Sequence, residues 1–202
     1  MKIIGLCGGS GSGKGMVCQL FLELGIPSVD TDAVYREITS APGRCLDALA
    51  DEFGKDIIGE DGALDRKLLA SLVFSGDGAE KRLARLNLIS HKFILDETRD
   101  RLRSFEKNGA NFAIVDAPVL FESGFDSECD GVICVVADRE IRIGRIMGRD
   151  NITREGAERR IAAQLSDEEL ISRSDYVIRN NSDICDLRRE VIGVYNKLKN
   201  NI

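Results

Sequence analysis

A glycine-rich segment near the start of the chain restricts the possible folds more than any other feature. It reads GGSGSGK over residues 8–14, directly after the apolar run at residues 2–6. Apolar residues then recur at helical spacing through residues 13–24. A strand, a glycine loop and a helix in this order turn backbone N–H groups inward beside the positive end of the helix. We therefore predict a phosphate-binding loop in an α/β fold.

The position after the loop lysine departs from the usual pattern. Lys14 is expected to reach the β- and γ-phosphates of a nucleotide, and a Ser or Thr hydroxyl that binds Mg²⁺ normally follows it. This chain instead has Gly15 and then Met16, whose side chains cannot hold the metal. Magnesium is commonly bound by carboxylates, phosphates and water, so we expect carboxylates to replace the hydroxyl. The alternative is a degenerate protein that binds nucleotide without turnover.

The rest of the chain alternates strands and helices, with one interruption. Ser28 and Val29 form a brief second strand, and residues 112–116 and 131–136 are continuous apolar runs typical of the middle of parallel sheets. Residues 42–108 show helical periodicity without a convincing strand. The pattern predicts one domain over residues 1–202, with a P-loop NTPase fold, a parallel sheet flanked by helices, and a helical insertion at about 42–108.

Two helix starts are predicted late in the chain. Asp138 is expected to cap a helix that reaches about Arg149. Ser166 begins the sequence SDEE, which matches a capping box and predicts another helix. The charged segment between these helices has little apolar surface to bury.

Composition excludes several classes of protein. The net charge of −6 disfavours a duplex-wrapping protein, because affinity for nucleic acid requires a basic face. The N-terminal apolar run is too short for a signal peptide, and the chain has no apolar stretch of about 18 residues. Six cysteines without a CxxC pair, together with one histidine, do not indicate a zinc site. We expect a cytoplasmic protein that binds a small molecule, with no nucleic-acid or membrane partner and with its oligomeric state left open.

Acidic residues follow two of the predicted strands. Asp30 and Asp32 come after the second strand, and Asp116 ends the third. Ligands of open α/β sheets bind at the carboxyl ends of the strands. We predict Asp32 and Asp116 as magnesium ligands, partly through water. Helix capping and turn formation are the alternative roles for these side chains.

Seven stretches together resemble the dephospho-coenzyme A kinases, and the resemblance covers nearly the whole chain. GLCGGSGSGKG is similar to the start of that family, VDTDAVYREI to its acidic motif, and LDRKLLASLVF and SHKFI to its helical acceptor region. VDAPVLFESGF resembles the third-strand motif, and SDYVIRNNSD the last strand and its turn. RIGRIMGRDNITREGAERRIAAQ resembles the small helical lid, at about residues 145–165. VDAPVLFESG and RIAAQ are the most specific of these motifs.

The resemblance implies ATP and Mg²⁺ as cofactors, and transfer of the γ-phosphoryl group to the ribose 3′-hydroxyl of dephospho-coenzyme A. Asp32 would act as the base, Lys14 would hold the phosphates, and Arg149 would stabilise the charge of the transition state. Arg145 and Arg160 match lid positions as well. Nucleotide contacts are expected from Gly11, Ser12, Gly13, Lys14, Gly15 and Met16. Acceptor contacts are expected from His91, Leu120, Phe121 and Glu122, and adenine contacts from Asn180 and Asn181.

Three further arginines, Arg142, Arg154 and Arg159, are expected on solvated helix faces. Lys92 stands where the family commonly has proline after the histidine. A kinase with the same fold that acts on AMP or shikimate is the alternative enzyme, although it would not explain VDAPVLFESG. A GTPase-like regulator is disfavoured, because the nearest match to an NKxD motif, residues 196–199, ends in lysine.

Overall fold

The computed structural model describes residues 1–200 and contains a five-stranded sheet flanked by helices. The strands are β1 (Lys2–Cys7), β2 (Ser28–Asp30), β3 (Phe112–Asp116), β4 (Gly131–Val136) and β5 (Tyr176–Arg179). Their order across the sheet is β2-β3-β1-β4-β5. This arrangement confirms the predicted parallel α/β sheet.

Helices alternate with these strands along the chain. They are α1 (Lys14–Glu23), α2 (Thr31–Ile38), α3 (Arg44–Phe53), α4 (Arg66–Phe74), α5 (Ala79–Lys107), α6 (Arg139–Asp150), α7 (Arg154–Ala162), α8 (Asp167–Ser172) and α9 (Ile184–Asn200). Short 3₁₀ turns lie at Lys55–Ile57 and Phe125–Glu128. No helix within residues 1–200 is long and apolar enough to cross a membrane.

The chain forms two compact units. One comprises Met1–Val29 together with the chain from Ser104 onward, and the other comprises Asp30–Arg103. The first unit has a core of buried aliphatic and aromatic side chains from the sheet, α1 and α9, including Leu6, Phe21, Ile114, Ile133 and Val191. The prediction that all 202 residues form one domain stays a prediction.

The second unit is helical, as the helical periodicity of residues 42–108 predicted. Its core includes Leu46, Leu49, Ile57, Leu69 and Val73, all buried. Aspartates begin two of its helices, because Asp30 Oδ1 accepts the N–H groups of Asp32 and Ala33, and Asp65 caps α4 in the same way. These caps satisfy amide groups that the first turn of a helix leaves without partners.

The register of the central strands brings their carboxyl ends to one edge of the sheet. In β1, Leu6 lies opposite Asp116 of β3, and Cys7 lies opposite Cys134 of β4. Both cysteines are buried, as expected for small apolar side chains in core strands. The glycine loop leaves β1 at this edge, so its neighbours are the ends of β3 and β4.

One of the two late helix caps is confirmed and the other is wrong. Ser166 Oγ accepts the Glu169 N–H at 3.1 Å and so begins α8. Asp138 precedes α6, but its side chain makes no cap. Its Oδ1 instead accepts a hydrogen bond from Asn181 Nδ2 at 2.7 Å, because β5 brings this amide beside it.

Candidate active site

The phosphate-binding loop, residues 8–14, packs closely against other residues of the first unit. Gly8, Gly11 and Gly13 have φ values of 148°, 79° and 97°, which side-chain-bearing residues rarely adopt. A Cβ atom at Gly8 would lie 2.3 Å from the Val135 carbonyl oxygen, and one at Gly13 would lie 2.1 Å from Asn180 Nδ2. Glycine is therefore required both for the backbone conformation and for the close approach of Val135 in β4 and of Asn180, which follows β5.

Three successive carbonyl groups of the loop are held by side chains from later in the chain. The Ser10 carbonyl accepts from Arg142 Nε at 2.9 Å. The Gly11 carbonyl accepts from Arg145 Nη1 at 3.2 Å, and the Ser12 carbonyl accepts from Asn180 Nδ2 at 2.8 Å. Since no peptide bond described here is cis, each of these peptides directs its N–H group away from the donor.

Lys14 lies at the carboxyl edge of the sheet beside a carboxylate. Its Nζ donates to the Gly8 carbonyl at 3.2 Å and is 3.9 Å from Asp116 Oδ1. Both side chains are 15% exposed. Cys18, one turn along α1, directs its thiol to Asp116 Oδ2 at 3.6 Å. The structure thus brings together two of the predicted site residues, Lys14 and Asp116.

The charge of Lys14 also acts on the thiol of Cys7, which directly precedes the loop. A hydrogen bond from Cys134 lowers the pKa of Cys7, and burial opposes this shift. A contact with Ser174 and the charge of Lys14 lower the pKa further. Lys14 therefore acts electrostatically on the buried end of β1 as well as on the loop.

Arg149 is the most exposed of the arginines that approach the loop. It is 60% exposed, and its Nη2 is 3.5 Å from Ser10 Oγ. Its Nε and Nη2 donate to the two carboxylate oxygens of Asp150 at 2.8 and 2.9 Å, and Arg160 also contacts Asp150. The hydrogen bond from Arg149 is the main cause that lowers the pKa of Asp150.

The other two lid arginines have different surroundings. Arg145 is engaged with the loop and with Asn180, whose backbone oxygen accepts from its Nη2 at 3.0 Å. Arg160 is 45% exposed and pairs with Asp150. Among the arginines of the predicted lid, Arg149 thus has an exposed guanidinium directly beside the loop.

Arg142 is a functional candidate that the sequence analysis placed wrongly. It was expected on a solvated face, but its side chain is only 4% exposed and pairs with Asp167. A usable signal was its spacing, because Arg142, Arg145 and Arg149 are three and seven residues apart and share one face of α6. Arg154 fits the expectation, since it is 47% exposed and pairs with Glu140 and Glu158.

Two asparagines predicted to contact adenine lie just after β5. Asn180 is buried, and both its amide nitrogen and its oxygens are engaged by the loop and by Arg145. Asn181 is exposed and exchanges two hydrogen bonds with Asp138. Asn180 therefore supports the loop, and a contact between Asn181 and adenine stays a prediction.

The VDAPVLFESG motif follows β3. Leu120 is fully buried, and its Cδ2 would lie 2.8 Å from a Cβ atom at Gly5, so in this structure it packs in the core. Phe121 is nearly buried, and the Arg173 guanidinium lies over its ring at 4.0 Å. Glu122 is exposed. The acceptor contacts expected of these residues stay predictions.

Two predicted site residues belong to the second unit. Asp32 is exposed in the first turn of α2, two residues after the end of β2. His91 is half-buried within α5. The roles of Asp32 as a base and as a magnesium ligand, and of His91 as an acceptor contact, stay predictions.

The donor set near Lys14 is compatible with a magnesium ion carried by a nucleotide. No group of three Asp, Glu, His or Cys side chains within residues 1–200 is arranged to hold a metal by itself. Magnesium, however, is usually held by one or two carboxylates together with phosphates and water. Asp116, which lies beside Lys14, is a carboxylate of this kind.

Exchanging Gly13 for alanine tests the loop geometry. We expect Gly13→Ala to weaken ATP binding at least tenfold, because the left-handed backbone costs about 1–2 kcal/mol and the new Cβ displaces Asn180. Gly193→Ala is the control, since Gly193 lies in α9 and no described atom lies within 4 Å of a Cβ at this position. Calorimetric titration with ATP, alongside thermal unfolding, measures both variants. Wild-type affinity in Gly13→Ala would contradict the loop geometry described above.

Comparison with known proteins identifies the family. A family model for dephospho-CoA kinase matches residues 2–186. A dephospho-CoA kinase from Corynebacterium glutamicum is 39% identical over 190 residues, covering 94% of both chains. A Thermus thermophilus protein of known structure has a TM-score of 0.80 at 31% identity, covering 98% of this chain and 97% of that one. Dephospho-CoA kinase from Campylobacter jejuni has a TM-score of 0.72 at 26% identity over the full length of both chains. The chain belongs to the dephospho-CoA kinase family, which confirms the resemblance found in its motifs.

Proposed function

We propose that this protein transfers the γ-phosphoryl group of ATP to the ribose 3′-hydroxyl of dephospho-coenzyme A, producing coenzyme A and ADP. The observation that carries the proposal is the position of Lys14. It lies at the base of a glycine loop and 3.9 Å from Asp116, in a chain that belongs to this kinase family. A cytoplasmic location, in keeping with this metabolic role, stays a prediction.

Binding of the nucleotide phosphates rests on the loop backbone and on Lys14. The N–H groups of Gly11 and Gly13 would donate to phosphate oxygens, and the amino end of α1 adds partial positive charge. Lys14 would exchange its contact with the Gly8 carbonyl for the β- and γ-phosphates. Gly15 and Met16, in the first turn of α1, would contribute their backbone to the same cradle.

Charge at the transferring phosphoryl group would be balanced from two sides. Mg²⁺ would neutralise part of the phosphate charge, and Asp116 and Asp32 are proposed to hold it, partly through water. Arg149 would leave Asp150 and turn to the γ-phosphate, because its guanidinium is exposed and already contacts the loop at Ser10. Fixed cations at this position stabilise the charge that spreads over the phosphoryl oxygens in the transition state.

Asp32 is our candidate for the base. Its carboxylate would accept the proton of the 3′-hydroxyl as that oxygen bonds to phosphorus and the bond to the ADP oxygen breaks. An exposed aspartate after a strand end suits this role, because the acceptor must reach it from solvent. His91, Leu120, Phe121 and Glu122 are proposed to help bind the acceptor.

An acceptor assay tests the proposed reaction. We expect purified protein with Mg-ATP to release ADP when dephospho-coenzyme A is added, and not when AMP or shikimate is added. Lys14→Ala should reduce turnover by about 10²–10³-fold, as expected for loss of a group that stabilises transition-state charge. Lys197→Ala, an exposed lysine on α9, is the matched control and should keep full activity. Turnover of AMP or shikimate alone would establish a different kinase, and no turnover would indicate a degenerate one.

The role of Asp32 is tested by removing its charge. Asp32→Asn should lower kcat by about two to four decades, because a general base contributes that much. Asp47→Asn is a matched control, since Asp47 is also an exposed aspartate in the first turn of a helix. It carries the same small helix-dipole loss of about 0.3–1 kcal/mol without a catalytic role. Equal kcat values for Asp32→Asn and the wild type would remove Asp32 from the mechanism.

The unusual glycine after Lys14 allows a test of metal binding. Gly15→Ser introduces the missing hydroxyl into open space, and Gly15→Ala adds the same Cβ without it. If the hydroxyl is a useful ligand, Gly15→Ser should lower the Mg²⁺ concentration for half-maximal activity by about tenfold, or roughly 1.4 kcal/mol. Gly15→Ala should leave that concentration unchanged. Identical metal dependence in both variants would mean that carboxylates, phosphates and water already suffice.

A further inference from the structure

The guanidinium group of Arg142 is buried against the phosphate-binding loop at Ser10. Its Nε donates to the Ser10 carbonyl at 2.9 Å, and its Nη1 donates to Asp167 Oδ1 at 2.6 Å. Its Nη2 is buried without a hydrogen-bond partner in the described part of the chain. A buried cation with one nitrogen unsatisfied is costly to stability, so Arg142 is a candidate for a functional role.

Two loop glycines make this close approach possible. A Cβ atom at Gly9 would lie 2.1 Å from Arg142 Nη2, and one at Gly11 would lie 2.7 Å from the Arg142 carbonyl oxygen. Any larger residue at either position would push the loop away from α6. The glycines therefore accommodate Arg142 as well as the curvature of the loop.

We propose that Arg142 is a positioning residue that orients the loop for nucleotide binding. The Ser10 carbonyl and the Gly11 N–H belong to the same planar trans peptide and point in opposite directions. By holding the carbonyl outward, Arg142 directs the Gly11 N–H into the loop. The preorganised amide then donates to phosphate without first having to rotate, which lowers the entropic cost of binding.

The opposite side of Ser10 is held as well. The Ser10 N–H donates to Gln164 Oε1 at 2.7 Å. Gln164 follows α7 and lies three residues before Asp167, which anchors the Arg142 guanidinium from the first turn of α8. One short segment, residues 164–167, thus fixes both the Ser10 amide and the orientation of Arg142.

The geometry requires arginine and not only a positive charge. Two different nitrogens of one planar group contact Ser10 and Asp167, which are in separate parts of the chain. A lysine ammonium keeps the charge but is a single donor centre without this fixed fork. Arg142→Lys therefore separates positioning from simple electrostatic attraction.

The test is direct binding of ATP and ADP by calorimetry, together with steady-state kinetics and thermal unfolding. We expect Arg142→Lys to weaken both nucleotides about tenfold, as for loss of one hydrogen bond to a charged group. KM for dephospho-coenzyme A should stay within about twofold, since Arg142 does not face the acceptor in this proposal. Asp167→Asn, which keeps the acceptor oxygen but loses its charge, should weaken the nucleotides in the same direction by a smaller factor.

The control is Arg139→Lys, on the same helix. Arg139 is exposed and pairs with Glu158 at 3.4 Å, so its replacement should leave the affinities for ATP and ADP unchanged. Unchanged ATP affinity in folded Arg142→Lys, or an equal loss of affinity for ATP and for the acceptor, would overturn the proposal. If Arg142→Lys does not fold, wild-type ATP affinity in Asp167→Asn overturns it instead.

The inference rests on the proposed function only in taking ATP as the ligand. Calorimetric binding needs no acceptor and no turnover. Failure of wild-type protein to use dephospho-coenzyme A would therefore contradict the proposed reaction and leave the Arg142 result intact. Conversely, normal turnover of dephospho-coenzyme A by the wild type, with unchanged nucleotide binding in Arg142→Lys and Asp167→Asn, would support the proposed reaction and contradict the role of Arg142.

Discussion

The structure of the first unit depends on how closely the phosphate-binding loop packs against the elements that follow β4. Three loop carbonyls are bonded to Arg142, Arg145 and Asn180, and this is possible because the loop residues nearest them are glycines. Each contact also orients the amide N–H that shares a peptide plane with the bonded carbonyl. Residues far apart in sequence are therefore needed to shape a segment of seven residues.

The chain carries a net charge of −6 and yet is built to bind a polyanion. It achieves this locally, because cations and backbone dipoles surround the loop while carboxylates hold the cations in place. Lys14 lies beside Asp116, and Arg149 lies beside Asp150. In the proposed mechanism, a bound nucleotide replaces some of these contacts of Lys14 and Arg149. The affinity for the nucleotide is therefore the difference in free energy between cations paired with protein groups and cations paired with phosphate.

Much of the fold followed from pattern alone. The strands at 112–116 and 131–136 were predicted from continuous apolar runs, and the helices between 42 and 108 from their periodicity. Two local predictions were wrong for the same reason. Asp138 lost its capping role to an amide brought by β5, and Arg142 became buried because α6 presses it against the loop. Both outcomes depend on long-range contacts, which local spacing does not encode.

The sequence by itself determined the loop, the order of strands and helices, and the family, because glycine positions, apolar periodicity and specific motifs are all local properties. It also placed Asp116 at the ligand-binding edge of the sheet, since the carboxyl ends of parallel strands share one edge. Only the tertiary structure decided which arginines face the loop backbone and which remain exposed. The physical reason is that a guanidinium is buried only where distant carbonyl and carboxylate groups converge on it, and their convergence is a property of the packed chain.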